Sequence, residues 1–416
     1  MKKDKLFFVT LLFLFVKGFI INHIGYFDIL NLLADVLVVI TAFRTPKLHY
    51  KHLLKFTGKP VVYSLSLFLT VGVLADLFNF IPVKTSLWGV KNFLRFFLLT
   101  YAILGRYRFL NADLFKKLIS KLFLINIFAV LVDYTTGRKG DDLGGIFLGN
   151  GDLAIFLVIS LLFFTSDCMQ GKLSKFFLAF AYVVSFAIAM FAEIKFLYLV
   201  IPMCFYLSYI FIKKTTILNI IFFASSCLLI VPTLKYALSL YYTEEYVEAI
   251  FSEEQRSDYL QGEGYSLGLA DVGFNRNTSI AKTQILFLKD LQTSLIGHGI
   301  GSASNSSTFG TWIAESYRLT GYFFFTSSFV LIETGWIGYI LFLSIYLFIL
   351  LRFLSFYVKG KNSMERYWAA MGTMMAIVTF LFIWYNSAPY VDYYLPFMLW
   401  GFCLLGIFQN KKVIKR

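Results

Sequence analysis

The sequence predicts an all-α polytopic membrane protein of about 12 transmembrane helices, with a large, partly helical extracytoplasmic loop between spans 9 and 10. Three observations carry that prediction. Hydrophobic residues make up 58% of the 416 and charged residues 15%, with a mean hydropathy of +0.72; soluble chains carry about 25% charged residues. Apolar stretches matched to a hydrocarbon core roughly 30 Å thick, which needs about 20 residues per helix, recur along the chain. Most Lys and Arg lie in the short polar gaps between those stretches, so the net charge of +14 reads as topology signals. No solvent-facing basic groove is left over for nucleic acid, which excludes that class of partner.

The chain opens on Met1-Lys2-Lys3-Asp4-Lys5 and an apolar run. Lys17 and Asn22 interrupt the run and no small-x-small cleavage site follows, so it is expected to be an uncleaved first span. The remaining spans are predicted near 28–43, 61–81, 88–105, 118–134, 151–166, 176–191, 196–212, 216–236, 321–351, 367–384 and 392–408, after a first near 6–22. The tenth is long enough to be tilted, kinked or extended beyond the bilayer. With the N-terminus cytoplasmic, alternate gaps carry Arg44 to Lys59, Arg106 to Lys117, Lys172/Lys175, Lys213/Lys214, Arg352 to Arg366 and Lys411 to Arg416. The opposite gaps carry little beyond Lys84, Arg138/Lys139 and Lys195, so both termini are expected in the cytoplasm. Residues 1–416 then form a single membrane domain, with 237–320 as its extracytoplasmic loop.

That loop reverses the charge of the chain: between Tyr236 and Thr320 five Lys/Arg face ten Asp/Glu, a net of 5 − 10 = −5. Thr243 to Leu260 reads as an acidic helix. Ser279 to Leu295 reads as a second, with Ile280, Ile285, Leu288, Leu291 and Leu295 at near-helical spacing, placed to lie on the outer leaflet or to cap the bundle. Between and after them stand Arg276, the turn Gly297-His298-Gly299-Ile300-Gly301, and the closing Glu315-Ser316-Tyr317-Arg318.

Ionisable residues at membrane depth are costly and are therefore functional candidates. Lys91 and Arg95, four residues apart, share one face of the fourth span, one to two turns below the outer surface if the span starts near Trp88. Such a pair suits a polyanion such as a lipid-linked pyrophosphate, Arg as a planar fork and Lys as a point charge. A salt bridge to Asp76, or snorkelling, is the structural alternative. Asp28, Asp35 and Lys17 are explained by internal ion pairing. Of the four histidines only His298 lies in the large loop, where it is either a general-base candidate or a turn residue. No H-E-x-x-H, G-x-S-x-G or clustered His/Asp set is present, and Cys168, Cys204, Cys227 and Cys403 form no C-x-x-C.

Three local sequences carry a family resemblance: Gly145-Ile146-Phe147-Leu148-Gly149-Asn150-Gly151-Asp152-Leu153-Ala154; Arg276 followed by the apolar segment and Gly297-His298-Gly299-Ile300-Gly301; and Glu333-Thr334-Gly335-Trp336-Ile337-Gly338. In this order and at these membrane positions the chain resembles the O-antigen and capsular-polysaccharide repeat-unit polymerases (Wzy type) of the O-antigen ligase/polymerase superfamily. The resemblance covers roughly residues 145–340. Where that family commonly has an arginine between spans seven and eight, this chain has Glu193-Ile194-Lys195, which keeps the charge without the bidentate fork. The His-Asn-type motif of the ligases is missing from Phe323 to Ser328.

The resemblance implies a GT-C-like bundle in the bacterial cytoplasmic (inner) membrane and a metal-independent glycosyltransferase without cofactor. The growing glycan moves from polyprenyl pyrophosphate to a lipid-linked oligosaccharide repeat at the outer face, with flippase and chain-length regulator proteins as further partners. On that reading Arg276, Arg318, Lys195, Lys91 and Arg95 hold the pyrophosphate, and Gly297, Gly299 and Gly301 let backbone approach it. His298, Asp271 and Glu315 are the loop candidates for a base. The alternatives are a ligase-like transferase, a lipid-linked oligosaccharide flippase or transporter, and a membrane scaffold. Spans split nine and three by the loop argue against a transporter built from two similar halves.

Overall fold

The computed structural model describes residues 5–25, 27–45, 50–213, 273–304 and 310–410, with a few isolated positions between 214 and 272. Among them every regular element is helical: α1 (Lys5–Ile24), α2 (Phe27–Phe43), α3 (Tyr50–Thr57), α4 (Lys59–Phe78), α5 (Val83–Leu104), α6 (Asp113–Thr135), α7 (Asn150–Met169), α8 (Lys175–Phe191) and α9 (Leu197–Lys213). After the undescribed stretch come three short helices, α10 (Ser279–Leu286), α11 (Leu291–Ile296) and α12 (Trp312–Tyr317). The chain ends with α13 (Thr326–Lys359), α14 (Ser363–Tyr385), α15 (Ala388–Val391) and α16 (Tyr394–Asn410). Six of these, α1, α4, α5, α7, α13 and α14, are long and apolar enough to cross a membrane, and α2, α8, α9 and α16 are shorter apolar helices. The sequence-predicted spans coincide with helices, apart from 216–236, which lies almost wholly outside the described residues, as does the acidic helix expected at 243–260.

Apolar side chains all round a helix require a partner on every side. Accordingly α7, α14 and α16, buried over most of their length, form the centre. α8 and α9 pack on α7, and α13 and α16 on α14. The outer helices keep large apolar residues exposed, among them Leu12 on α1, Leu67 and Leu77 on α4, and Ile125 and Phe128 on α6. A contiguous apolar surface of this kind suits hydrocarbon surroundings and would aggregate in water.

Two departures from the sequence expectation matter for the site. The helix expected over 279–295 is broken in two, because Asp290 caps α11: its Oδ1 accepts from the Thr293 amide at 2.8 Å, and the Thr293 hydroxyl accepts from the Asp290 amide at 3.4 Å. A capping box of this kind starts a new helix and stops the old one. The five apolar residues therefore do not share a face; Leu288 is buried while Ile285 and Leu291 are 72% and 77% exposed.

The long tenth span is kinked, as its length allowed, at Gly335, whose φ of 60° and ψ of −167° belong to glycine alone. Carbonyls on the N-terminal side of the break accept from the glycine turn instead: His298 N donates to Ile332 O at 2.8 Å and Gly299 N to Glu333 O at 2.9 Å. Gly297 and Gly335 meet backbone to backbone; a Cβ on Gly335 would lie 2.5 Å from Ile296 N. Gly335→Ala is expected to destabilise the fold by at least about 1–3 kcal/mol from backbone strain, read as a lower midpoint of thermal unfolding in detergent.

Candidate functional site

A cavity of about 760 Å³ opens at the end of the bundle where α2, α5 and α7 start and α14 stops, the end that carries the 273–325 segment. Its chemistry is set by one carboxylate. Asp35 is eight residues into α2 (35 − 27 = 8) and Lys91 eight into α5 (91 − 83 = 8), so the two stand at one depth, about 12 Å from their helix starts. Asp35 Oδ2 accepts from Lys91 Nζ at 2.6 Å, and its Oδ1 from Arg95 NH1 at 2.7 Å and the Tyr394 hydroxyl at 2.7 Å. Arg95 also donates through Nε to Asn92 O at 3.0 Å and through NH2 to Val391 O. Lys91 Nζ lies 3.6 Å from the centroid of the Trp88 ring, a cation–π contact. With side chains 5%, 10% and 24% exposed, Asp35 and Arg95 are structural while Lys91 keeps one side toward the cavity.

The salt bridge to Asp76, the structural alternative that the sequence offered, is not the one formed. Asp76 faces the glycine turn, accepting from the Ser86 hydroxyl and lying 2.2 Å from where a Cβ on Gly299 would be. α5 starts at Val83, five residues before Trp88, so Lys91 and Arg95 stand two to three turns from the helix start. Lys17 is ion-paired, as expected of it, yet with Asp392 at 2.9 Å and not with Asp35; it also donates to Asn31 Oδ1 at 3.1 Å.

The opposite wall is the start of α7, placed by the glycine-rich stretch 144–151. Asp133, fully buried at the end of α6, accepts from the amides of Gly144 and Gly145 at 3.1 and 2.6 Å and from His23 Nε2 at 2.9 Å. Asn126 Oδ1 takes the Ile146 amide at 3.0 Å. Gly18 on α1 lets Phe147 and Leu148 lean on that helix, for a Cβ there would come within 2.2 Å of the Leu148 amide. These clamps set Gly149, Asn150, Gly151 and Asp152 along the cavity.

A third group braces the rim. Glu333, fully buried, accepts from the Ala303 amide at 3.3 Å, the Ser304 hydroxyl at 3.4 Å and the Tyr390 hydroxyl. Ser304 and Tyr390 line the cavity, so Glu333 acts on it through them.

The sequence-named residues divide accordingly. Lys91 and Arg95 line the cavity. Arg276, 8% exposed, stacks its guanidinium 4.3 Å from the Tyr385 ring centroid, and Phe196, next to Lys195, stacks on the same ring at 4.2 Å. Asn386, the chain neighbour of Tyr385, lines the cavity, whereas neither Arg276 nor Lys195 is a lining residue. Arg318 and Glu315 are exposed on and after α12, outside the lining, and Asp271 lies outside the described residues. Gly297, Gly299 and Gly301 spend their close approach on protein: on Thr334 and Gly335, on Asp76, and on Thr85 and Gly89. His298 Nε2 lies 2.8 Å from Phe287 O and so carries the proton, leaving Nδ1 as the acceptor. Among the described residues no group of three or more His, Cys, Asp or Glu side chains is gathered for a metal ion. What the sequence missed is the convergence of Asp35, Asp152 and Asp392 on one cavity; the matched depths of Asp35 and Lys91 were the available signal.

Two outcomes follow from this geometry. Asp35→Asn leaves two buried cations without their counter-charge and is expected to cost about 3–5 kcal/mol, measured by unfolding in detergent. Burial holds the His298 imidazole below its ordinary value, against the upward pull of the Phe287 carbonyl and Asp290. The unfolded chain therefore binds the proton first, so stability is full above a pH of about 6.5 and is lost as pH falls through the lower folded value. Hydrogen exchange at the 297–301 amides is expected to speed up over that range, and His298→Gln to remove the pH dependence.

No protein-family model matches this chain, and no curated protein matches it.

Proposed function

We propose that the protein is a polysaccharide polymerase: a glycosyltransferase that moves a growing glycan from polyprenyl pyrophosphate to a hydroxyl of a lipid-linked oligosaccharide repeat. On this reading it spans the bacterial cytoplasmic membrane twelve times, with 216–236 as the ninth span and both termini inside. What carries the reading is the cavity of about 760 Å³ with Lys91 and Arg95 on one wall, a size ordinary for small-ligand sites. It is supported by position. The cavity lies at the end of the bundle opposite the connections that hold Arg106 and Arg108, Lys172 and Lys361, an arrangement that the positive-inside rule favours for an outward-facing cavity. The resemblance at residues 145–154, 276–301 and 333–338 supplies the reaction class.

Glycosyl transfer from a pyrophosphate needs the departing charge stabilised by cations already in place. Lys91 meets that need best, because it lines the cavity and is the more exposed of the two cations, with Asp35 holding its ammonium in place. Arg276, stacked on Tyr385, is the loop cation proposed to join it, and Lys195 precedes Phe196, which stacks on the same ring. Arg318 and Glu315 are more distant contributors on this geometry. His298 serves the turn first.

In cells lacking the gene and complemented with wild type or Arg276→Ala, the length distribution of lipid-linked and surface glycan is the test. The variant is expected to reach the membrane at normal level and to lower polymerisation by about 10²–10³-fold, as loss of one transition-state donor does, with single repeats still reaching the surface. Normal chain length in the variant sinks the role of Arg276. Long chains retained on the lipid carrier in the deletion strain point to a ligase, and single repeats held on the cytoplasmic leaflet to a flippase.

A further inference from the structure

We infer that Asp152 is the group that takes the proton from the acceptor sugar hydroxyl, an assignment that rests on the glycosyl-transfer reading above. Three carboxylates line the cavity: Asp35, Asp152 and Asp392. Asp35 is committed to Lys91, Arg95 and Tyr394, and Asp392 to Lys17. No protein donor is bonded to Asp152 among the described residues. It is partly buried in the first turn of α7, among the residues that line the cavity. A half-buried carboxylate with no bonded protein donor among the described residues, across the cavity from two cations, is placed to accept from a ligand hydroxyl, and on the glycosyl-transfer reading that ligand is the acceptor sugar.

The step balances without a further reactant. The acceptor O–H bond breaks, its proton going to an Asp152 oxygen and its electron pair to the anomeric carbon of the donor glycan. The bond from that carbon to the pyrophosphate oxygen breaks in turn, and polyprenyl pyrophosphate leaves carrying the negative charge toward Lys91. The two walls thus divide the work: α5 receives the anion and α7 the proton. Clamping of 144–149 by Asp133 and Asn126 gives α7 the fixed start that such a role requires.

The experiment uses the full chain in detergent or vesicles with its lipid-linked repeat, measuring kcat and KM against pH for wild type, Asp152→Asn and Asp152→Glu. Asp392 from the α15–α16 turn, Lys17 from α1 and Arg95 from α5 are the charged groups that act on Asp152, and they are the same in all three proteins. Because Asp152 holds no hydrogen bond to another side chain among the described residues, the near-isosteric Asn is expected to leave the fold unbroken. Asp152→Asn is expected to lower kcat by about 10²–10⁴-fold with KM unchanged, and to abolish the fall in rate on the acid side of the profile. Asp152→Glu is expected to restore part of the rate together with that acid limb. A wild-type rate in Asp152→Asn, or a slow variant that keeps the acid limb, overturns the assignment and leaves the polymerase reading intact. Wild-type protein that binds the repeat and forms no polymer overturns both.

Discussion

Lys91, Arg95 and Asp35 can leave water only as a set, and the rest of the cavity depends on that. A lone charge at this depth costs several kcal/mol after relaxation, and either cation without Asp35 would bring that cost unrelieved. Together the three tie α2 to α5, while the Tyr394 hydroxyl ties α16 to the same carboxylate. Arg95 reaches on to the Val391 carbonyl and thereby fixes α15. Four elements thus take their register from one carboxylate. Lys17 and Asp392 repeat the arrangement beside it, tying α1 to the α15–α16 turn. A cavity with polar walls inside an apolar bundle needs such pairs, because the low dielectric that penalises an unpaired charge also strengthens the paired one.

A second constraint joins the loop to the bundle. The turn at 297–301 is inserted between α4, α5 and α13, and it fits because glycine stands wherever another backbone arrives: Gly297 against Gly335, Gly301 against Gly89, Gly299 against Asp76. Its amides supply hydrogen bonds that the kink at Gly335 denies to Ile332 and Glu333. The kink and the turn therefore require each other. Glu333, held at the kink, carries the consequence to the cavity through Ser304 and Tyr390. Glycines in this turn are thus intelligible as packing, and any contact of theirs with a ligand would have to displace protein.

Sequence alone disclosed the helical class, the positions of the described apolar helices, the length that let α13 bend and the pairing of Lys91 with Arg95 on one helix. Hydropathy and charge position are properties of single segments, and single segments were what it could rank. It did not disclose which acid answers which base. Asp76 was nearer to Lys91 in the chain than Asp35, yet Ser86 and the glycine turn claim Asp76, and no local pattern marks that. Asp152 stood in the sequence only as one residue of the glycine-rich stretch 145–154; the fold shows that this stretch borders a cavity. The break at Asp290 was legible in principle, since Asp-x-x-Thr caps a helix, and the apolar spacing from Ile280 to Leu295 masked it.

On the proposed reading, the pairing of Lys91 with Asp35 would also bear on turnover. Two bare cations in a half-dry cavity would hold a pyrophosphate product strongly, and a polymerising enzyme must release the lipid carrier after every transfer. Binding that is equally strong for substrate, transition state and product accelerates nothing. A resident carboxylate changes the balance: the ground-state anion, its charge already shared with an ester, gains little over Asp35, whereas the charge that develops on the leaving oxygen gains more. Asp35 then reclaims Lys91 as the product departs. On the proposed reading the compensated pair is therefore better suited to repeated transfer than a stronger, uncompensated one. The same carboxylate that lets the cations enter the bundle limits how tightly they hold what they bind.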